Sequence, residues 1–210
     1  NCGYKDGIHA PGESDIYKSL KVNHNLLLSH GESVPIIRKN SRECKVGIVL
    51  NLTPGMPASQ SDADKKASKL FNQFFNEWFL DPLYGKQYPS EVANDWVQKG
   101  ILKEIDFVND NDYDIISVPT DFLGINYYSR GIIRSEDISE SENLPVELVP
   151  GDKTDFDWEV FPTGLRDLLI DVHQRYHPKS IYITENGCAY DYPKDESGCI
   201  NDEKRVEYLD

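Results

Sequence analysis

Apolar side chains recur at helical spacing in three stretches of the chain. Asp15 stands ahead of Ile16, Leu20, His24 and Leu27, which share one helical face, and Gly31 after His30 predicts a C-terminal stop. Ser61 and Asp64 form a capping-box-like start to the strongest pattern: Ala67, Leu70, Phe71, Phe74, Phe75, Trp78 and Phe79. Asp81-Pro82 is expected to end it. A third helix is predicted over residues 163–177, with Leu165, Leu168, Leu169, Val172 and Tyr176 inward and Pro178 as terminator.

Short apolar runs between them, at 46–50, 122–127 and 181–183, lack alternation. Strands covered on both faces have this character, so all three are expected to be buried. A short helical stretch at 91–98 and a polar, acidic excursion at 134–157 interrupt the series, and the charged residues 202–210 read as the start of a further helix. Helix and strand alternate, which predicts an α/β fold with a parallel sheet and right-handed crossovers. Three strands are few for 210 residues, whereas a closed barrel needs eight. The pattern therefore suits part of a barrel. A chain that opens on Asn1 and ends within a nascent helix reads as a piece of something larger.

Composition narrows the function classes. Thirty-six acidic residues against 22 basic leave a net charge of −14. That sign repels phosphate backbones and anionic membrane surfaces, so neither nucleic acid nor membrane is expected as a partner. No apolar run approaches the roughly 18 residues of a spanning helix, and no basic-then-apolar leader opens the chain. A cytoplasmic location is expected, with a signal peptide upstream of Asn1 left open. Twelve Tyr, eight Phe and three Trp argue for an ordered protein. Cys2, Cys44, Cys188 and Cys199 are scattered without a Cys-x-x-Cys pair, and read as reduced structural thiols. The five histidines lack metal-site spacing, so no metal is expected.

The chemistry gathers at two strand ends. Ile181-Tyr182-Ile183-Thr184-Glu185-Asn186-Gly187 delivers a carboxylate from a strand into a turn. Parallel α/β folds place active sites at the carboxyl ends of strands. From position alone Glu185 reads equally as a catalytic carboxylate and as one that caps a loop or pairs with a base. Gly124-Ile125-Asn126-Tyr127-Tyr128 ends the preceding strand at the corresponding level. A tyrosine hydroxyl there could aim and stabilise an ionised carboxylate, and Asn126 could bond a hydroxylated ligand, although packing aromatics are the commoner reading.

At these segments the chain resembles glycoside hydrolase family 1, the β-glucosidase family with a (β/α)8 barrel. Thr184-Glu185-Asn186-Gly187 matches the nucleophile motif, and Asn126-Tyr127-Tyr128 the sixth-strand motif. Supporting matches run along the chain. They are Gly7-Ile8-His9-Ala10-Pro11-Gly12, His24-Asn25-Leu26-Leu27-Leu28-Ser29-His30-Gly31, Val46-Gly47-Ile48-Val49-Leu50-Asn51, Trp78-Phe79-Leu80-Asp81-Pro82-Leu83 and Phe161-Pro162-x-Gly164-Leu165.

The resemblance implies an incomplete (β/α)8 TIM barrel over residues 1–210, from about the fourth helix to the seventh strand. It implies retaining hydrolysis of β-glucosides, with Glu185 as nucleophile, Tyr128 as the tyrosine that hydrogen-bonds it, and Asn126 beside the sugar. The loop 53–59 would line the leaving-group side. No cofactor is implied, because two carboxyl groups roughly 5–5.5 Å apart suffice. The family's acid/base motif, Thr-x-Asn-Glu-Pro, does not occur in the sequence, nor does its late Trp-rich segment. Asn76-Glu77-Trp78 lacks the proline and lies within a helical pattern, so Glu77 is rejected as a substitute. These 210 residues alone are accordingly expected to be inactive. Phospho-glycosidases of the family typically carry Ser at the sixth-strand motif, so Asn126 favours an unphosphorylated sugar. The alternatives are a 6-phospho-β-glycosidase and a non-catalytic α/β binding protein.

Overall fold

Helix and strand alternate in a computed structural model that describes residues 1–136 and 151–210. In order the elements are α1 (Ile16–Asn40), β1 (Gly47–Asn51), β2 (Gly55–Pro57), α2 (Asp62–Asn72), a π-helical turn (Gln73–Glu77), α3 (Trp78–Leu83) and α4 (Ser90–Gln98). There follow α5 (Asp112–Ile116), β3 (Phe122–Asn126), β4 (Gly131–Ile133), α6 (Pro162–Tyr176), β5 (Ile181–Glu185) and α7 (Glu203–Leu209). Two units result, one of Asn1–Ile48 with Gln73–Phe122, the other of Val49–Asn72 with Leu123–Asp210. Most of the predicted excursion at 134–157 (residues 137–150) lies outside the described residues.

In the first unit, Asp15 caps α1 by accepting from the Lys18 amide at 3.1 Å, and Arg38 and Lys39 sit in its last turn, favourably placed against the helix dipole. The predicted stop at Gly31 is wrong. The helix continues to Asn40, through Gly31 and Pro35, because its buried stripe of Leu20, His24, Leu27, Gly31 and Val34 continues across both. Gly31 is there for closeness: a Cβ would overlap the Ile115 carbonyl of α5. His24, 1% exposed, sits with Nδ1 2.9 Å from the Tyr88 hydroxyl and Nε2 2.9 Å from the Asp112 carboxylate. Burial would raise the Asp112 pKa, but hydrogen bonds from Asn109 and His24 outweigh it and hold the carboxyl below its usual range. The Trp78 ring stacks on Tyr88 at 4.5 Å.

The phenylalanine-rich helix also departs from expectation. It is interrupted by the π turn, within which Glu77 lies, and ends at Leu83 rather than at Asp81-Pro82. Pro82 lies inside α3, one residue before its end. The buried Gln73 of the π turn accepts from the Val92 amide at 3.0 Å, near the start of α4.

The second unit contains the sheet. Its strand order is β1-β3-β5, and β3 runs parallel to β5. Only the central strand meets the expectation of cover on both faces: Leu123, Gly124 and Ile125 are buried. Val49 of β1 and Tyr182 and Ile183 of β5, on the strands that flank β3, are exposed. Two further strands were not foreseen. β2 and β4 pair in parallel, Gly55 with Gly131 and Pro57 with Ile133, each only three residues long and too short for a periodic signal. Asn72 at the end of α2 pins this pair, accepting from the Gly55 amide at 2.9 Å and donating to its carbonyl at 2.8 Å.

α6 starts at Pro162, whose missing N–H has no intrahelical partner at that position, and stops at His177 in the left-handed region (φ 49°). Its buried face is Gly164, Leu168, Val172 and Tyr176. No described helix is long and apolar enough to cross a membrane. The four cysteines are free thiols.

Candidate active site

Successive side chains of an extended strand point to opposite sides, and the end of β3 uses this alternation. Tyr127 turns inward, 2% exposed, and donates its hydroxyl to the Phe161 carbonyl at 2.7 Å, at the start of α6. Gly164 makes room for it, since a Cβ there would overlap the Tyr127 hydroxyl. Burial pushes the Tyr127 phenol well above its usual value, so it remains a donor. Tyr128 turns the other way, and its hydroxyl donates to Oε2 of Glu185. That hydrogen bond, then partial burial and the charge of Glu185, raise the Tyr128 pKa, which keeps the proton on the phenol.

A register shift brings the strand ends together. Leu123 pairs with Ile181 and Ile125 with Ile183, but Asn126 pairs with Glu185, so Thr184 is the extra residue of a bulge. Without it Asn126 would face Thr184, and Glu185 would lie one position beyond. The Thr184 hydroxyl donates to Asn126 Oδ1 at 2.7 Å. The Glu185 backbone is held as well: its carbonyl accepts from the Tyr127 amide at 3.0 Å, and the next residue, Asn186, donates to the Tyr127 carbonyl at 2.9 Å. Asn186 also donates to the Tyr208 hydroxyl of α7 at 2.9 Å. The result is an exposed carboxylate with its backbone fixed on both sides and one oxygen held by a phenol. Such a group can act as a nucleophile or as a base.

Beside it lies a cavity of about 430 Å³, lined among others by Asn51, Thr53, Tyr128, Lys153 and Trp158. The Trp158 ring lies 5.1 Å from that of Tyr128. Beneath them Arg130 and Glu159, 5% and 7% exposed, form a two-pronged pair with N–O distances of 2.7 and 2.8 Å. The guanidinium also lies 3.7 Å from the Phe161 ring centroid. Hydrogen bonds from Arg130 outweigh burial and hold the Glu159 carboxyl below its usual range.

The structure thus brings Asn126, Tyr128 and Glu185 together at the ends of neighbouring strands. Of the loop 53–59, Thr53 reaches the cavity, while Gly55–Pro57 belong to β2 and Ala58 and Ser59 are buried. Arg130, Trp158 and Glu159 were not singled out from the sequence. Trp158 sits close to the acidic stretch that reads as an excursion, and its aromatic neighbour Phe156 was the one available signal. Among the described residues no group of three or more His, Cys, Asp or Glu side chains is arranged to hold a metal.

The chain is similar to known proteins along its whole length. The family described as Glycosyl hydrolase family 1 matches residues 1–210. Beta-glucosidase A of Acetivibrio thermocellus is 40% identical over 209 residues, covering 99% of this chain and 46% of that protein. The 6-phospho-beta-glucosidase GmuD of Bacillus subtilis is 30% identical over 221 residues, covering 99% and 47%. A crystal structure of a beta-glucosidase from Exiguobacterium marinum superposes with a TM-score of 0.87 at 33% identity, covering 99% of this chain and 47% of the other. The chain therefore spans less than half the length of the relatives it matches.

Proposed function

This chain belongs to glycosyl hydrolase family 1, and on that premise we propose that its full-length gene product hydrolyses β-glucosides with retention of configuration, using Glu185 as the nucleophile. The observation that carries the reading is the hydrogen bond from Tyr128 to Glu185 across two neighbouring strand ends. An oxygen of Glu185 attacks the anomeric carbon while the bond from that carbon to the leaving oxygen breaks. The leaving oxygen takes a proton from a second carboxyl group. Water then attacks the glycosyl ester, gives a proton back to that group, and frees both the sugar and Glu185.

Tyr128 holds one carboxylate oxygen in place, which leaves the other to attack. Asn126 bonds a sugar hydroxyl, and the cavity beside Trp158 receives the leaving group. The second carboxyl group comes from a Thr-x-Asn-Glu-Pro motif elsewhere in the gene product, since these residues contain none. Similarity to β-glucosidase structures supports placing β1, β3 and β5 as the fifth, sixth and seventh strands of a (β/α)8 barrel. Residues 1–210 are then one segment of a single catalytic barrel, from about its fourth helix to its seventh strand. Asn126 favours an unphosphorylated sugar.

Incubating the full-length product with a 2-deoxy-2-fluoroglucoside carrying a good leaving group tests this. The expected result is a covalent sugar on the peptide containing Glu185, and loss of aryl glucosidase activity in Glu185→Ala. A label on another residue would refute the nucleophile assignment. Labelling only by the 6-phosphorylated reagent would turn the reading to a phospho-glycosidase, and no label with either would favour a binding protein.

A further inference from the structure

The residues on either side of Tyr128 are tied to one short stretch of chain. Before it, the Tyr127 hydroxyl donates to the Phe161 carbonyl at 2.7 Å. After it, Ser129 Oγ donates to the Glu159 carbonyl at 2.9 Å. Arg130 then grips the Glu159 carboxylate with two prongs, Nε at 2.7 Å and Nη2 at 2.8 Å, and its guanidinium lies 3.7 Å from the Phe161 ring centroid. Tyr127, Ser129 and Arg130 thus all reach residues 159–161, while Tyr128 between them turns to Glu185.

Fixing matters at this point of the chain. β3 ends at Asn126 and β4 begins at Gly131, so residues 128–130 belong to neither ladder. The phenol oxygen is the atom of Tyr128 farthest from its backbone, so a small turn of this link swings it widely. Hydrogen bonds weaken steeply as they lengthen and bend. Stability alone does not call for a buried ion pair, because apolar side chains of similar volume often hold a fold as well. A planar guanidinium on two carboxylate oxygens adds something else, a fixed angle between the two segments that carry them. The Glu159 end is itself held, since Oε1 also accepts from the Gly151 amide at 2.8 Å. Both partners are buried, so water does not compete for these bonds.

We infer that Arg130 and Glu159 are positioning residues for the nucleophile: their pairing sets the backbone after Tyr128 so that the phenol hydroxyl meets Glu185. The inference rests on the nucleophile reading proposed above and adds a pair that acts on the reaction through Tyr128.

The test labels the full-length product with 2-deoxy-2-fluoro-β-glucosyl fluoride, whose leaving group is too small to use the cavity wall. Intact mass gives the rate constant at saturation, the half-saturating concentration and the final labelled fraction. Arg130→Met combined with Glu159→Leu leaves no stranded charge. In it the rate constant is expected to fall about tenfold, as misplacement of a hydrogen bond to the reacting carboxylate allows. The other two quantities should not move. In Tyr128→Phe, which has no hydroxyl to aim, adding the same two changes should slow labelling no further. Arg130→Lys keeps the charge without the planar two-pronged grip, and provides the same comparison should the double variant not fold. It should lose rate beside Tyr128 and none beside Phe at that position. An unchanged rate constant, or an equal loss with and without the Tyr128 hydroxyl, would overturn the inference. A loss confined to the labelled fraction would mean misfolded molecules, and one confined to the half-saturating concentration would mean sugar binding; either result also overturns it. Label on Glu185 of the wild type with an unmoved rate in the variants sinks the positioning role alone. No label on Glu185 of the wild type sinks both readings.

Discussion

Removing the Glu159 carboxylate tests the account of the cavity wall most directly. Three donors converge on it: Arg130 Nε at 2.7 Å, Arg130 Nη2 at 2.8 Å and the Gly151 amide at 2.8 Å. Both partners of the pair are almost fully covered. In Glu159→Leu the guanidinium keeps its desolvation cost and loses its counter-charge, for which breaking a buried pair costs about 3–5 kcal/mol. Arg130→Met leaves the carboxylate stranded in the same way and falls in the same range. The double variant should not lose the sum. With no charge left to desolvate, the main remaining penalty is the orphaned Gly151 amide, about 1–3 kcal/mol. Urea unfolding of the four proteins, followed by tryptophan fluorescence, gives the cycle. A double variant as unstable as the two single losses added together would refute the buried-pair argument. The pH dependence follows with a definite sign. Arg130 holds the Glu159 carboxyl below its ordinary value of about 4.3, so its contribution is complete above that pH. It is lost as pH falls through the lower, folded-state value. The gap in stability between the wild type and Glu159→Gln should therefore be level from neutrality to about pH 4.3 and close only below it; a gap that closed nearer pH 7 would contradict the assignment.

Gly31→Ala sets two effects against each other. Helix propensity favours alanine by about 1 kcal/mol, while a Cβ driven into the Ile115 backbone carbonyl costs about 1–3 kcal/mol because that atom cannot rotate away. A net loss in thermal midpoint is expected, and a gain would show that α1 and α5 are not held in contact there. Residues 1–210 purified alone should cleave an aryl β-glucoside at least about 10²-fold more slowly than the full-length product, for want of a proton donor. Equal rates would mean that a carboxyl group within the chain takes that role.

Local pattern determined a good deal of this protein. Apolar runs located β1, β3 and β5 to within two residues, and helical spacing located α6, α4 and the start of α1, because each signal is carried by neighbours along the chain. The Asn126-Tyr127-Tyr128 and Thr184-Glu185-Asn186-Gly187 segments were legible for the same reason. Gly31 misled because the same residue serves to end a helix and to let two backbones approach, and the deciding contact, Ile115, is far along the chain. The sequence likewise carries no mark of the bulge at Thr184 that sets Glu185 opposite Asn126, or of the pairing of Arg130 with Glu159, 29 residues apart. Nor does it distinguish the strand buried on both faces from its open neighbours, since Leu123 and Ile183 are equally apolar. Periodicity along a chain encodes which side of an element is apolar. Which element comes to lie against that side is decided by packing between distant segments, and here that packing aims the carboxylate.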